Sequence, residues 1–144
     1  IGSLGVNFMH GLAFDPNTNT LYGTSTQTPN LYTIDTTTGI ATSVGALGVA
    51  NVEGLAFDAN TNTLYGTANT IDELVTIDTS TGSATPVGPL GFTNVKGLAF
   101  DATSNTLYGT DSATTALITI NTATGGGTLV GNTATNMVGL AFLN

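Results

Sequence analysis

The sequence predicts an all-β fold built from a tandem unit of 43 residues. Three observations predict it. GLAFDPNTNTLYGT at 11–24 returns as GLAFDANTNTLYGT at 54–67 and as GLAFDATSNTLYGT at 97–110. Short β-branched and aromatic runs alternate with clusters of Asp, Asn, Thr and Gly, the pattern of strands separated by tight turns. No stretch carries the 3.6-residue apolar period or the length of a helix.

Four strands are expected in each unit. NFMHGLAF at 7–14 is almost continuously apolar, so the first strand is expected to be buried on both faces. DPNTNT follows as a turn, and LYGTST at 21–26 is the second strand. A variable loop comes next: TQTPN, NTIDE or SATTA in successive copies. LYTID at 31–35 is the third strand, and TTTG closes a hairpin with Gly39, Gly82 and Gly125 free to take positive φ. The fourth strand lies near IATSVG at 40–45. The units run over about 6–48, 49–91 and 92–131. Residues 1–5 and 132–144 form partial strands of the same repeat, so the chain begins and ends in one phase.

Composition narrows the function classes. Lys96 is the only basic residue against nine carboxylates, a formal net charge of −8. Such a surface repels phosphate, which excludes nucleic acid and an anionic membrane surface as partners. No apolar run approaches 18 residues, so no membrane insertion is expected. Without cysteine there is no disulfide, thiolate metal site or sulfur nucleophile. Thirty threonines do the solvent-facing work, which suits exposed strands. This low-charge composition fits a secreted, extracellular or cell-surface bacterial protein. A first residue of Ile rather than Met is expected of a processed or excised piece of a longer precursor.

Four strands in 40–45 residues is the size of one β-propeller blade. LYTIDTTTG and IATSVG, followed by GLAFDPNTNTLYGT, resemble the bacterial secreted propeller repeats of the YVTN and related kinds. The resemblance covers the whole chain and implies a blade, not an activity. LYGT stands where that family has its YVTN tetrad.

Three blades do not close a propeller, which takes four to eight. An open stack leaves two apolar blade faces bare. A closed dimer, further blades in a longer chain, or a head-to-tail filament would each cover them. The ends can alternatively pair with one another inside one chain. A β-trefoil or a three-sided β-prism is the rival fold, since either closes with three units and needs no partner.

Candidate sites follow the repeat. Asp15, Asn17 and Asn19 form D-x-N-x-N; Asp58, Asn60 and Asn62 repeat it, and Asp101, Thr103 and Asn105 repeat it with one change. Alternate oxygen ligands resemble the start of a Ca2+ loop. Thr at position six and the lack of Glu at position twelve favour side-chain-capped turns instead. Asp35 and Asp78 become Asn121 in the third copy, which suits a turn acceptor and not a catalytic carboxylate. His10 has Glu53, Lys96 and Val138 as its repeat mates, a solvated position beside the first strand. Tyr22, Tyr65 and Tyr108 are expected to pack between sheets, and Asp72, Glu73 and Asp111 are the unit-specific loop carboxylates. The Thr runs can accept O-linked sugars, while no N-x-Ser/Thr acceptor occurs.

The function expected is that of a non-enzymatic extracellular structural or adhesive module, with no cofactor. It would self-associate through its terminal segments, burying Leu4, Phe8, Leu12, Phe14, Leu140 and Phe142 in a homo-oligomer or filament. A carbohydrate- or calcium-dependent, lectin-like binding module is the alternative.

Overall fold

A computed structural model describes residues 2–142. Its described residues form twelve strands and no helix. The first sheet contains β1 (Met9–Asp15), β2 (Thr20–Ser25), β3 (Asn30–Ile34) and β4 (Ala41–Ala46). The second contains β5 (Val52–Asp58), β6 (Thr63–Ala68), β7 (Glu73–Ile77) and β8 (Ala84–Pro89). The third contains β9 (Val95–Asp101), β10 (Thr106–Asp111), β11 (Ala116–Ile120) and β12 (Gly127–Asn132). Each sheet is an antiparallel meander in chain order. These are three propeller-type blades, one per repeat. A trefoil or prism, the single-chain threefold alternative, is not what forms.

Local chemistry sets each meander. The β1–β2 turn is held by Asp15, whose Oδ1 accepts the N–H of Asn17 at 2.8 Å. Asn19, Asn62 and Asn105 sit in the left-handed region with φ of 57°, 58° and 52°, which Asn tolerates better than most residues. The β3–β4 hairpin ends on Gly39, Gly82 and Gly125 with φ near 80°, as the TxTG spacing predicts. Register is the same in every blade: Leu12 faces Gly23, Leu55 faces Gly66 and Leu98 faces Gly109.

The core lies between blades. One buried cluster joins blades one and two through Tyr22, Leu31, Leu47, Leu55 and Leu64; the other joins blades two and three through Tyr65, Leu74, Leu90, Leu98 and Phe100. First strands sit side by side, β5 against β1 and β9 against β5. Residues 137–142 continue this row beyond β9, where Gly139 comes within 3.3 Å of a Cβ built on Gly97. They occupy a fourth first-strand position without joining a sheet.

Two predictions need correction. Burial on both faces holds for most of β5 and β9 but not for β1, whose Leu12 and Phe14 are exposed. No blade precedes β1 among the described residues, so its outer face has nothing to pack on. The terminal segments 2–5 and 137–142 are also not strands, and they do not pair with each other. Residues 2–5 instead lie on blade one. The Gly2 N–H donates to Thr38 O at 2.6 Å, and Leu4 O accepts the Ala41 N–H at 3.1 Å. That bond repeats between Leu47 and Ala84 and between Leu90 and Gly127. The N-terminal residues thus stand in for the tail of a preceding blade.

Neighbouring blades also touch main chain to main chain. A Cβ at Gly45 would collide with the Thr81 carbonyl, and one at Gly82 would come within 2.5 Å of Gly45 O. Gly88 and Gly125 repeat this contact at the second junction. Residue Gly131, the next in the series, has open space around it.

Candidate functional site

The two end faces are the most distinctive surfaces. Leu12 is 54% exposed, while its repeat mates Leu55 and Leu98 are 3% and 4% exposed. The difference has one cause: Leu55 meets Gly11 of blade one and Leu98 meets Gly54 of blade two, whereas Leu12 has no such neighbour. Phe14 and Ile40 are exposed on the same blade. Phe8 is exposed as well, and it holds a left-handed φ of 53° at the position that Asn51 occupies with φ 52° in the next repeat. At the other end Leu129, Val130, Val138 and Phe142 are exposed. Leu4 and Leu140 are half-buried. Of the residues expected to carry assembly, Leu4 and Phe8 lie on blade one, while Leu12, Phe14, Leu140 and Phe142 line one groove that runs from the first strand of blade one to residues 137–142.

The two internal junctions share their hydrogen bonds, and the first adds an aromatic stack. Tyr22 stacks on Phe57 with ring centroids 6.5 Å apart. The Thr24 hydroxyl donates to Val52 O at 2.8 Å, and Thr67 donates to Val95 O at 2.7 Å. Asn17 Nδ2 donates to Ala59 O at 3.1 Å, and Asn60 Nδ2 donates to Ala102 O at 3.2 Å. The seat of residues 137–142 on blade three reproduces only the aromatic contact, Tyr108 to Phe142 at 5.2 Å. There the buried Thr110 hydroxyl has no partner, and Thr103 replaces the bridging Asn.

The D-x-N-x-N residues work as turns and bridges. Asp15 and Asp58 are buried carboxylates, each accepting two N–H groups and a Thr hydroxyl. Asp101 accepts the same set from Thr103 and Ser104. The Ser104 hydroxyl, foremost, lowers the Asp101 carboxyl below its ordinary value. Asn17 and Asn60 reach the neighbouring blade, a role that spacing alone did not reveal. Asn19, Asn62 and Asn105 supply the left-handed corner. The carboxylate oxygens that a Ca2+ ion would use are thus already accepting hydrogen bonds. Among the described residues no group of three His, Asp or Glu side chains converges as a metal site would require.

Asp35 and Asp78 likewise hold turns. Asp35 is lowered chiefly by the Thr38 and Thr37 N–H groups, and Asp78 chiefly by the Ser80 hydroxyl and N–H. Asn121 makes the matching bonds to Ala123 and Thr124. Asp111, expected as a loop contact, is buried and accepts from Asn94 and Thr114. Asp72 takes a left-handed φ of 55° beside Glu73 at the start of β7.

The position of His10 faces a shared hollow. His10, Glu53, Lys96 and Val138 border an open cavity of about 200 Å³ lined by β1, β5, β9 and residues 138–140. Lys96 Nζ lies 3.3 Å from Glu53 Oε2, so the one cation is spent on an ion pair between blades. A larger apolar groove of about 440 Å³ crosses the four GLAF segments.

Residues 7–142 match the family described as "Repeat of unknown function (DUF6923)". The chain belongs to this family. Solved structures give the fold. A chain of the nidogen/laminin complex is similar at 21% identity with a TM-score of 0.72, covering 85% of this chain and 48% of that one. Virginiamycin B lyase from Staphylococcus aureus is similar at 17% identity with a TM-score of 0.61, covering 88% of this chain and 42% of the lyase. The PQQ-bound aldose sugar dehydrogenase from Streptomyces coelicolor is similar at 20% identity with a TM-score of 0.60, covering 84% of this chain and 46% of the enzyme. The chain spans less than half the length of each. At these identities the likeness is one of propeller architecture alone. No curated protein matches the sequence significantly.

Proposed function

We propose that the chain is a non-enzymatic, extracellular structural or adhesive module whose activity is association through its two blade faces. The carrying observation is the contrast between Leu12 at 54% exposure and Leu55 and Leu98 at 3% and 4%. Fully burying one leucine stabilises by about 1.5–3 kcal/mol, and a blade placed over β1 would recover this for Leu12 and more for Phe14. A non-catalytic role is supported by how the carboxylates are used. Asp15, Asp35, Asp58, Asp78, Asp101 and Asp111 hold turns, and Glu53 pairs with Lys96. The low-charge, Thr-rich surface supports an extracellular setting.

Analytical ultracentrifugation over a range of concentrations tests this. Reversible association weakened by Leu12→Asp is expected. A chain that sediments as a monomer at every concentration removes the proposal.

A further inference from the structure

The first strands of the three blades share one irregularity. Strand pairing passes over His10 between Met9 and Gly11, over Glu53 between Val52 and Gly54, and over Lys96 between Val95 and Gly97. Each holds the place of the extra residue in a β-bulge, a device that re-aims a side chain out of the regular alternation. All three border the hollow of about 200 Å³. The bulge and the GLAF that follows it are repeated, yet the bulged residue is His, Glu and Lys in turn. A solvated spacer could vary in this way, but Glu53 is not solvated: its side chain is 14% exposed, and that of Lys96 is 32% exposed. Lys96 Nζ lies 3.3 Å from Glu53 Oε2 without the alignment of a hydrogen bond, so this buried oxygen has no hydrogen-bond partner. Leaving such an acceptor unfilled is costly, and packed apolar side chains often join two elements at least as well as a buried ion pair. The arrangement points to a ligand rather than to a fastener.

We infer that this hollow binds a small aliphatic α-amino acid, with its carboxylate on Lys96 and its ammonium on Glu53. The inference is independent of the association proposed above. Charge decides the class of ligand. A simple anion would meet Glu53 beside Lys96, on a chain of net charge −8, and a simple cation would meet Lys96 beside Glu53. A zwitterion turns an opposite pole to each. A lysine ammonium carries three donors and a carboxylate about four lone-pair sites, so their mutual contact leaves room for both poles. Bonds ionised at either end are about twice as strong as neutral ones. The walls are Leu12, Leu55, Leu98 and Leu140, with no Phe or Tyr on which a sugar ring could stack. They suit a short aliphatic side chain. The hollow is also below the roughly 300–1,000 Å³ of drug-sized sites, which limits the ligand to a small molecule. His10 stands exposed at the same rim, the third bulged side chain within the hollow's border.

Backbone amide NMR of the full chain, titrated with L-leucine up to its solubility, tests this. Shifts at Gly11, Gly54 and Gly97, the residues that follow the three bulges, are expected. N-acetyl-leucine lacks the ammonium and leucinamide lacks the carboxylate, and each should bind at least tenfold more weakly than leucine. Equal binding by either one overturns the zwitterion. Glucose moving the same amides in place of leucine overturns the ligand class, and no shift with leucine overturns the site. Because these titrations use the unaltered chain, they decide the ligand without a variant that must fold. Glu53→Met combined with Lys96→Met replaces the pair with apolar side chains of similar length. This double variant should keep its strands by circular dichroism and lose the leucine shifts. Shifts that persist in it overturn the assignment to Glu53 and Lys96.

Discussion

The two internal junctions and the two ends of the stack are made of nearly the same sequence, yet they end in different states. At the junctions GLAF is mostly buried, Thr finds a carbonyl and Asn crosses to the next turn. At the ends the same letters are exposed or unpartnered. A residue in a repeat array thus takes its burial from its neighbours along the stack, as expected when stability is a sum of units and nearest-neighbour interfaces. The contrast shows that strand formation and blade burial are separable: β1 forms as fully as β5 while leaving Leu12 in water.

Matched substitutions sharpen this contrast. Leu98→Ala should cost about 2–5 kcal/mol by opening a cavity between blades two and three. Leu12→Ala in the monomer should cost under about 1 kcal/mol, because an exposed side chain leaves no cavity. Urea denaturation of both variants at a concentration below association checks the pair; equal losses would break the comparison. A smaller effect is expected from the threonines. Thr67→Val removes a hydroxyl that donates to Val95 O and accepts the Gly54 N–H, and should cost about 1–3 kcal/mol. Thr110→Val removes a buried hydroxyl with no partner and should be neutral or slightly stabilising. Thermal melts of the two variants read the difference directly.

The smallest effect concerns acid. Asp35, Asp78 and Asp101 are held below the ordinary carboxylate value. Their folded value lies under the unfolded one, near 4. The stability they contribute is therefore present above about pH 4 and is lost as pH falls through the folded value. Replacing Asp35 and Asp78 with Asn, the residue already serving at position 121, should flatten this acid limb and leave the neutral-pH melting temperature nearly unchanged. A steep acid limb that persists in the double variant would overturn its assignment to Asp35 and Asp78.

Much of the fold was legible in the sequence, because each blade is local. The strand order, the DPNTNT turn and the glycine after TxT all follow from contacts within a dozen residues. What lies between blades was less legible. Thr24 and Thr67 sit in plain LYGT strands, and nothing in a single repeat says that their hydroxyls reach residues 28 positions away. Their exact recurrence every 43 residues was the available signal. Asn17 and Asn60 were recognised as turn residues, but their amides also bridge blades, and the Thr at 103 was the clue that the third copy lacks this bridge. The burial of β1 was misjudged because apolar letters report what a strand can pack against, not whether a neighbour is there.

The glycine pairs Gly45–Gly82 and Gly88–Gly125 carry a consequence for how such arrays vary. Main chain approaches main chain there, so a side chain at any of these four positions has no room between one sheet and the next. The closest approach of neighbouring sheets is then fixed by bare backbone at these points. Loops such as TQTPN, NTIDE and SATTA can change their side chains while the backbone bond each accepts, at Pro29, Asp72 and Thr115, is kept.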